Sequence, residues 1–207
     1  QQVETMKQMV NAFSEYARAP DMKVARFSLN DLATEVADLY RSQDSRIEIW
    51  LDLAAPPPLI EADRGRVRQI LNNLLVNALE ALDVAEPANV PASAPQIGPA
   101  WVEIATRCEA IGDAAHAVIT VSDNGPGFQR ELLARVFDPY VTSKPKGTGL
   151  GLAIVKKIVE EHGGRIDADN RPGGGARVRV VLPLENGVRS AAGMRELRPS
   201  LRKERMA

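Results

Sequence analysis

Alternation of apolar and polar residues predicts the strands of this chain. In residues 47–53, apolar side chains alternate with Glu48, Trp50 and Asp52, which is the pattern of a strand with one buried face. The alternation or a short apolar run recurs in five further segments: residues 59–62, 101–108, 117–122, 166–169 and 176–182. Asp123 directly follows the third of these, which puts a carboxylate at the end of a strand.

Apolar residues spaced three and four positions apart predict four helices: residues 1–18, 29–40, 64–82 and 150–162. Ser28 and Asp63 are suited to cap the second and third helices, and Gly163 ends the fourth. In the second helix the spacing turns six side chains inward: Leu29, Leu32, Ala33, Val36, Leu39 and Tyr40.

The first helix has the apolar seam of a coiled coil or helical bundle. Five apolar residues follow spacings of 3, 4, 3 and 4: Val3, Met6, Val10, Phe13 and Ala17. This seam predicts a partner helix outside the chain, and a helix that folds back on its own domain is the alternative. No cap residue opens the helix, so Gln1 is expected to lie inside a longer one.

Together these elements predict an α+β fold, a two-layer sandwich in which helices cover one face of a mixed sheet. A helical-bundle segment precedes it. Four prolines among alanines make residues 86–100 a loop. From Glu185 the chain is polar and is expected to be a flexible tail.

Composition excludes several classes of protein. The 207 residues are 44% hydrophobic and 4% aromatic, which suits one domain with an aliphatic core and an appendage. A net charge of −1 provides no field for nucleic acid, so no nucleic-acid partner is expected. The single cysteine, Cys108, cannot form an internal disulfide, and the alternation predicts that it is buried. No apolar run approaches the roughly 18 residues of a membrane span, so a soluble domain is expected.

Glycines cluster where the fourth helix begins. Gly147, Gly149 and Gly151 lie just before and inside its first turn, where free N–H groups and the helix dipole attract anions. Without Cβ atoms, the backbone can approach phosphate oxygens closely. The spacing matches neither common phosphate-loop motif, so a flexible connector is the alternative to a phosphate site.

Two asparagines lie at the edge of the apolar face of the third helix. Asn73 and Asn77 are four positions apart and therefore share one face. Asparagine is a poor helix former because its side chain competes for backbone hydrogen bonds. The pair indicates a polar ligand, with solvated or internally satisfied asparagines as the alternative.

Four motifs follow one another in the order known from one family: Asn73-Leu-Leu-Val-Asn77-Ala, Asp123-Asn-Gly-Pro-Gly127, Phe137-Asp-Pro-Tyr and Gly147-Thr-Gly-Leu-Gly-Leu. They resemble the N, G1, F and G2 boxes of the catalytic, ATP-binding domain of bacterial sensor histidine kinases, which has the GHKL (Bergerat) fold of gyrase, Hsp90 and MutL. The resemblance covers residues 24–184. Residues 1–20 resemble the end of the dimerisation and histidine-phosphotransfer domain, and their sequence is similar to that of nitrogen-regulation sensor kinases. Residues 185–207 are the tail.

The resemblance implies a role for most motif residues. Asp123 would accept a hydrogen bond from the adenine amine, which selects ATP over GTP because guanine has a carbonyl there. Asn77 would hold Mg²⁺. Asn73 occupies the position of the glutamate base of hydrolytic relatives, and an amide cannot accept a proton. Lys144 would meet the γ-phosphate, with a solvated lysine as the alternative. The other expected nucleotide contacts are Gly125, Gly127, Thr142, Ser143, Gly147, Thr148, Gly149, Leu150 and Gly151.

These roles predict a protein-histidine kinase that uses ATP and Mg²⁺. Neither His116 nor His162 matches the acceptor motif of the family, so the phosphorylated histidine is expected on a bundle domain outside this chain. The implied partners are that domain, in a homodimer, and a response regulator. The domain is expected in the cytoplasm, and anchoring of a longer parent in the inner membrane is left open. The alternatives are a hydrolytic ATPase, a non-catalytic nucleotide-binding module and a protein-serine kinase of the same fold.

Overall fold

The computed structural model describes residues 22–42, 46–83, 99–144 and 147–184. In chain order the elements are β1 (Val24–Ser28), α1 (Leu29–Arg41), β2 (Glu48–Asp52), β3 (Leu59–Asp63), α2 (Arg64–Asp83), β4 (Trp101–Ile111), β5 (Ala114–Asp123), α3 (Arg130–Leu133), α4 (Gly151–Glu161), β6 (Arg165–Asn170) and β7 (Ala176–Pro183). The predicted helix at residues 1–18, most of the proline-rich loop and the tail from residue 185 lie outside the described residues.

Five strands form one mixed sheet in the order β2-β4-β5-β7-β6. β2 and β4 run parallel, and the other neighbours are antiparallel. The register pairs Asp123, the last residue of β5, with Val102 near the start of β4. The Asp123 carboxylate therefore lies at one end of the sheet.

β3 belongs to a separate two-stranded ribbon, where it pairs antiparallel with β1. β1 was not predicted, because Val24, Ala25 and Arg26 are all exposed and the strand lacks the alternation of a half-buried one. The short α3 was not predicted either.

α1, α2 and α4 cover one face of the sheet and enclose the core. The fully buried side chains come from both layers and include Leu32, Ile70, Leu71, Leu75, Ile104, Ile119, Ile158 and Leu182. The opposite face carries ion pairs, such as Arg177 with Asp169 at 2.7 Å. This confirms the predicted two-layer α+β sandwich.

Two burial predictions were wrong. Leu39 is 51% exposed, and Ala37 is buried on α1 instead. Cys108 continues the alternation of β4 but is exposed, because the β4–β5 hairpin extends past Thr106, the last buried residue of β4. Periodicity predicts which face a side chain is on, but not whether another element covers that face.

The predicted helix caps are present. Ser28 Oγ accepts a hydrogen bond from Asp31 N at 3.2 Å. Asp63 Oδ1 accepts from the backbone N–H groups of Gly65 and Arg66 at 2.9 and 3.1 Å, which satisfies two otherwise unpaired donors of α2. α4 ends before Gly163, whose φ of 68° suits glycine. Within the described ranges, no helix has the length and apolar character that a membrane crossing requires.

Candidate functional site

A cleft of about 510 Å³ opens between α2, the start of α4 and the end of the sheet. Most of the residues predicted from the motifs line it: Asn73, Asn77, Asp123, Gly127, Thr142, Ser143, Lys144, Gly147, Thr148, Gly149 and Gly151. Leu150 does not line the cleft because it is buried in the core. Gly125 is also outside the lining, and its N–H supports the Asp123 carboxylate. Folding thus brings separate motifs to one site.

Asp123 is a carboxylate with an exposed fraction of only 5%. Its Oδ1 accepts hydrogen bonds from Gly125 N at 2.9 Å and Ala176 N at 3.1 Å, which orients the group and leaves Oδ2 for a ligand. Burial raises the pKa of Asp123, and the two N–H donors and the charges of Arg171 and Lys144 oppose that shift. An oriented carboxylate of this kind suits a ligand that presents an N–H group.

The N-terminus of α4 forms another wall of the cleft. The N-cap residue, Leu150, makes no side-chain hydrogen bond to the helix, so the first N–H groups of α4 are left for a ligand. A Cβ atom on Gly151 would lie 3.6 Å from both amide atoms of Asn77. The helix start and the Asn77 amide are therefore neighbours, and an anion between them would meet the positive end of the helix dipole.

Asn73 lines the same cleft one turn before Asn77. Its Nδ2 atom is buried and has no hydrogen-bond partner among the described residues. A buried donor without a partner costs about 1–3 kcal/mol. This favours a ligand as the partner of Asn73 and argues against an internally satisfied asparagine.

Lys144 extends toward α2. Its Nζ donates to Glu80 Oε2 at 2.6 Å and lies 3.3 Å from the Asn77 carbonyl oxygen. Glu80 also lines the cleft, although it was not predicted as a site residue. Its position three residues after Asn77 on the same helix face could have indicated it.

The segment between Phe137 and Gly149, here called the lid, packs against itself. Tyr140 N donates to Gly149 O at 3.0 Å, and a Cβ atom on Gly149 would lie 2.6 Å from the Tyr140 carbonyl carbon. Glycine is therefore required at position 149. Tyr140 itself has a φ of 66°, a conformation that non-glycine residues adopt rarely and often near functional sites. Phe137, at the start of this segment, packs against the core.

Asn170 holds the loop after Asp123. Its amide accepts from Phe128 N at 2.7 Å and donates to Phe128 O at 2.8 Å. Gly127 has a φ of 76°, and a Cβ atom there would be 2.6 Å from Asn170 Oδ1. Glycine at 127 thus has a packing reason besides the predicted approach of the backbone to a ligand. No local pattern in the sequence indicated Asn170.

Neither histidine lies in the cleft. His162 Nδ1 is 2.7 Å from Ile158 O, and Nε2 accepts from Asp63 N at 3.2 Å, so both ring nitrogens are engaged within the fold. His116 Nδ1 is 3.1 Å from the carbonyl oxygen of Ala114 on the same strand. Neither arrangement resembles an acceptor histidine on a bundle helix.

In the part of the chain that the structure describes, no cluster of three or more His, Cys, Asp and Glu side chains could hold a metal ion. Mg²⁺ is usually held by one or two protein oxygens together with substrate phosphates and waters. The Asn77 amide oxygen, beside an anion site, fits that donor set.

Comparisons with known proteins place the chain among ATPases. The matching family model describes histidine kinase-, DNA gyrase B- and HSP90-like ATPases and covers residues 62–186. The nitrogen regulation protein NtrY of Azorhizobium caulinodans is 37% identical over 186 residues, which are 89% of this chain and 22% of that protein. The chain spans well under half the length of such curated relatives.

Two solved structures share the fold of this chain. Full-length ShkA in complex with AMPPNP has a TM-score of 0.66 and 28% identity, with 89% of this chain and 37% of that chain covered. Histidine kinase ThkA in complex with the response regulator TrrA has a TM-score of 0.67 and 27% identity, with 88% and 48% covered. The predicted resemblance is confirmed: the chain belongs to the family of histidine kinase-, DNA gyrase B- and HSP90-like ATPases, as a catalytic domain of the sensor histidine kinase type.

Proposed function

We propose that this chain is the ATP-binding catalytic module of a two-component sensor kinase that transfers the γ-phosphate of ATP to a histidine on a helical-bundle domain. One observation carries the proposal. The cleft combines a buried carboxylate, an uncapped helix N-terminus and the Asn77 amide, which suit adenine, phosphates and a hydrated Mg²⁺ respectively.

Asp123 recognises the adenine. Its free Oδ2 accepts a hydrogen bond from the exocyclic amine, and Gly125 and Ala176 keep the carboxylate in place through Oδ1. Guanine would present a carbonyl oxygen to the same carboxylate, and two acceptors repel each other. The site therefore prefers ATP to GTP.

The phosphates lie at the N-terminus of α4, where Gly147, Gly149 and Gly151 leave the backbone accessible. Asn77 is the protein ligand for Mg²⁺, which when bound neutralises charge on the transferring phosphoryl group. Thr142, Ser143 and Thr148 provide hydroxyl groups along the same wall. When nucleotide is present, the Lys144 ammonium group leaves Glu80 and pairs with phosphate oxygens instead.

Transfer to a protein, rather than to water, is supported by the amide at position 73, where hydrolytic relatives of the fold carry a glutamate base. Asn73 donates a hydrogen bond through Nδ2 but cannot accept a proton. Glu80 is a carboxylate in the cleft, which is the observation that favours a hydrolytic ATPase. Glu80 Oε2 pairs with Lys144 at 2.6 Å, and steady-state release of phosphate distinguishes the two functions, because hydrolysis would release it quickly and transfer to a protein slowly.

The partners of the proposed module follow from the sensor-kinase type. We place the acceptor histidine on a bundle domain that dimerises, with residues 1–20 as part of it, and a response regulator next in the relay. Histidine kinase ThkA was solved in complex with the response regulator protein TrrA, which supports a response regulator as a partner. A module that uses ATP and a response regulator works in the cytoplasm.

The metal assignment is tested with Asn77→Ala. Titration calorimetry with a non-hydrolysable ATP analogue should show that Mg²⁺ tightens binding to the wild type and no longer does so in the variant. Binding without metal should change little. Asn72→Ala is the matched control, because Asn72 is on the same helix but does not line the cleft. Equal losses with and without Mg²⁺ would show that Asn77 is structural, and no nucleotide binding by the wild type would overturn the proposed function.

A further inference from the structure

A stack of two aromatic rings and one guanidinium lies beside Asp123 and outside the cleft. The rings of Trp50 on β2 and Trp101 on β4 are 4.9 Å apart between centroids, with an angle of 11° between their planes. The guanidinium carbon of Arg171 is 4.5 Å from the centroid of Trp101. None of the three residues lines the cleft, so the stack does not contact a ligand there.

Arg171 connects this stack to the backbone of Asp123. Its Nη1 donates to the Asp123 carbonyl oxygen at 3.1 Å and lies 3.4 Å from the Gly174 carbonyl oxygen. Its backbone N–H donates to Gly175 O at 2.9 Å, inside the β6–β7 turn. A Cβ atom on Gly175 would lie only 1.9 Å from the Asp123 carbonyl oxygen, so the turn and Asp123 are in direct backbone contact. Arg171 therefore joins the turn, the stack and the end of β5.

Trp101 is also tied to the residue that follows Asp123. Trp101 N donates to Asn124 Oδ1 at 2.8 Å, and Asn124 Nδ2 donates to Pro99 O at 3.0 Å. The end of β5 is thus held on two sides, by Arg171 and by Asn124. Trp101 contacts both residues, since its ring lies under the Arg171 guanidinium and its backbone N–H donates to Asn124. A residue placed so firmly beside a binding cleft is suited to precise orientation of its side chain.

We propose that Arg171, held between Trp101 and the Asp123 carbonyl, is a positioning residue that fixes the adenine-binding carboxylate. The inference rests on the proposed function, in which Asp123 contacts adenine. An arginine suits the task because its flat guanidinium stacks on an indole ring while its N–H groups reach carbonyl oxygens. A lysine would keep the charge but lose this geometry.

The charge of Arg171 has a second effect on Asp123. Burial raises the pKa of Asp123, and Arg171 opposes the shift because a nearby positive charge favours the ionised carboxylate. The other groups around Asp123 or its loop are the Lys144–Glu80 pair in the cleft, the uncharged Ala81 and Leu82 on α2, and the Ala176 N–H on β7. Removal of Arg171 therefore raises the pH at which the Asp123 carboxyl becomes neutral.

The test uses Arg171→Met, which keeps the side-chain length without the charge, and Arg171→Lys, which keeps the charge. The Asp123 carboxyl is titrated by NMR without nucleotide, and ADP binding is measured by calorimetry from pH 5 to 8. The ADP phosphates titrate in the same way with every variant. A difference between variants in the pH dependence of ADP affinity therefore arises from the protein. Arg171→Met should bind ADP roughly tenfold more weakly, the loss expected for one charged hydrogen bond, and its carboxyl should titrate at higher pH. Arg171→Lys should keep the titration near that of the wild type while it binds ADP more weakly.

Arg177→Met is the matched control, since Arg177 lies on the same hairpin and pairs with Asp169 without contact to Asp123. It should change neither the titration nor the affinity. The inference is overturned if Arg171→Met leaves the Asp123 titration unchanged, or if Arg177→Met moves it equally. If the wild type binds no ADP, the proposed function fails, and the carboxyl titration still decides whether Arg171 acts on Asp123.

Discussion

The raised pKa of Asp123 predicts that this carboxylate lowers the stability of the fold at neutral pH. It is nearly fully buried, and burial raises its pKa above the ordinary value of 3.8. The folded state then binds a proton more readily than the unfolded state does. The stability that this proton contributes is present at low pH and is lost as the pH rises from 3.8 through the raised pKa. We therefore expect burial of the Asp123 carboxylate to lower the free energy of unfolding at pH 7.

Replacement of Asp123 by asparagine should separate stability from binding. In Asp123→Asn the amide oxygen can still accept from Gly125 and Ala176, so urea unfolding at pH 7 should require more denaturant. This gain should vanish near pH 3, where the wild-type carboxyl is neutral. ATP affinity should fall at least tenfold, because a charged hydrogen bond contributes about 1.5–3 kcal/mol. Unchanged affinity in a folded variant, measured by calorimetry, would contradict the adenine assignment.

Packing between helices decides where the groups of the site meet. α2 and α4 lie side by side, so that Asn77 neighbours the start of α4. At their other ends, Arg66 on α2 pairs with Glu161 on α4 at 2.6 Å, and His162 accepts from Asp63 N. The proposed phosphate site therefore lies between two helices that are joined at their opposite ends by an ion pair and a hydrogen bond.

The cap of α2 supports this pair of helices. Burial would raise the pKa of Asp63, but the N–H groups of Lys23, Arg66 and Gly65 outweigh it, and the pKa is lowered. Asp63→Ala should lower the free energy of unfolding at pH 7 by about 1 kcal/mol, the usual value of a cap. Chemical unfolding should show that the loss persists above the ordinary pKa and shrinks as the pH falls through the lowered one. Asp38→Ala, which removes an exposed pair with Arg41, serves as the control. A loss that is the same at every pH would show that the charge of Asp63 is not involved.

The lid is attached to α2 through Lys144 and Glu80. Without nucleotide, Glu80→Gln should speed hydrogen exchange across residues 138–147, because the attachment is lost. ATP affinity should rise about two- to fivefold, since an ion pair contributing up to about 1 kcal/mol no longer competes for Lys144. Glu160→Gln, which removes the pair with Lys156 on α4, should leave both properties unchanged.

The comparison of exchange with and without nucleotide also tests the mobility of the lid. Protection of residues 138–147 should increase when ATP binds, because phosphates then supply the contacts. Equal protection in both states would contradict a nucleotide-ordered lid. Unchanged exchange in Glu80→Gln would show that the ion pair does not hold the lid.

At the scale of the whole molecule, this chain should bind ATP without phosphorylating itself. With Mg²⁺ and γ-labelled ATP it should acquire no stable phosphohistidine, because both ring nitrogens of His162 are engaged and His116 lies on a strand. Steady-state release of phosphate should be very slow, because Asn73 cannot activate water. Acid-labile label on His162 would overturn this prediction.

A separately produced bundle domain with an acceptor histidine should restore transfer. The proposed docking surface is the apolar seam in residues 1–18, which lies outside the described residues and stays a prediction. Phe13→Asp puts a charge in that seam and should reduce the transfer rate at least tenfold, whereas ATP affinity should not change. Equal transfer by the wild type and the variant would show that docking uses another surface.

Much of the fold could be predicted because its signals are local. The apolar stripe of α2, the cap at Asp63 and the glycines before α4 each depend on residues within a few positions of one another. The order of the four motifs predicted the family and, with it, most of the lining of the cleft. β1 could not be predicted, because an exposed strand has no hydrophobic period, and the exposure of Cys108 depended on where the helices end.

The sequence by itself determined most of the helices and strands and most of the residues that line the cleft, because hydrophobic periods of 2 and 3.6 residues, helix caps and motifs depend on residues that are close together in the chain. Only the tertiary structure decided that Asn170 holds Phe128, that Arg171 holds Asp123 and that Glu80 holds Lys144. These contacts join residues 42, 48 and 64 positions apart. The physical reason is that a hydrogen bond or an ion pair depends on distances of a few ångströms, and such distances exist only after the layers have packed.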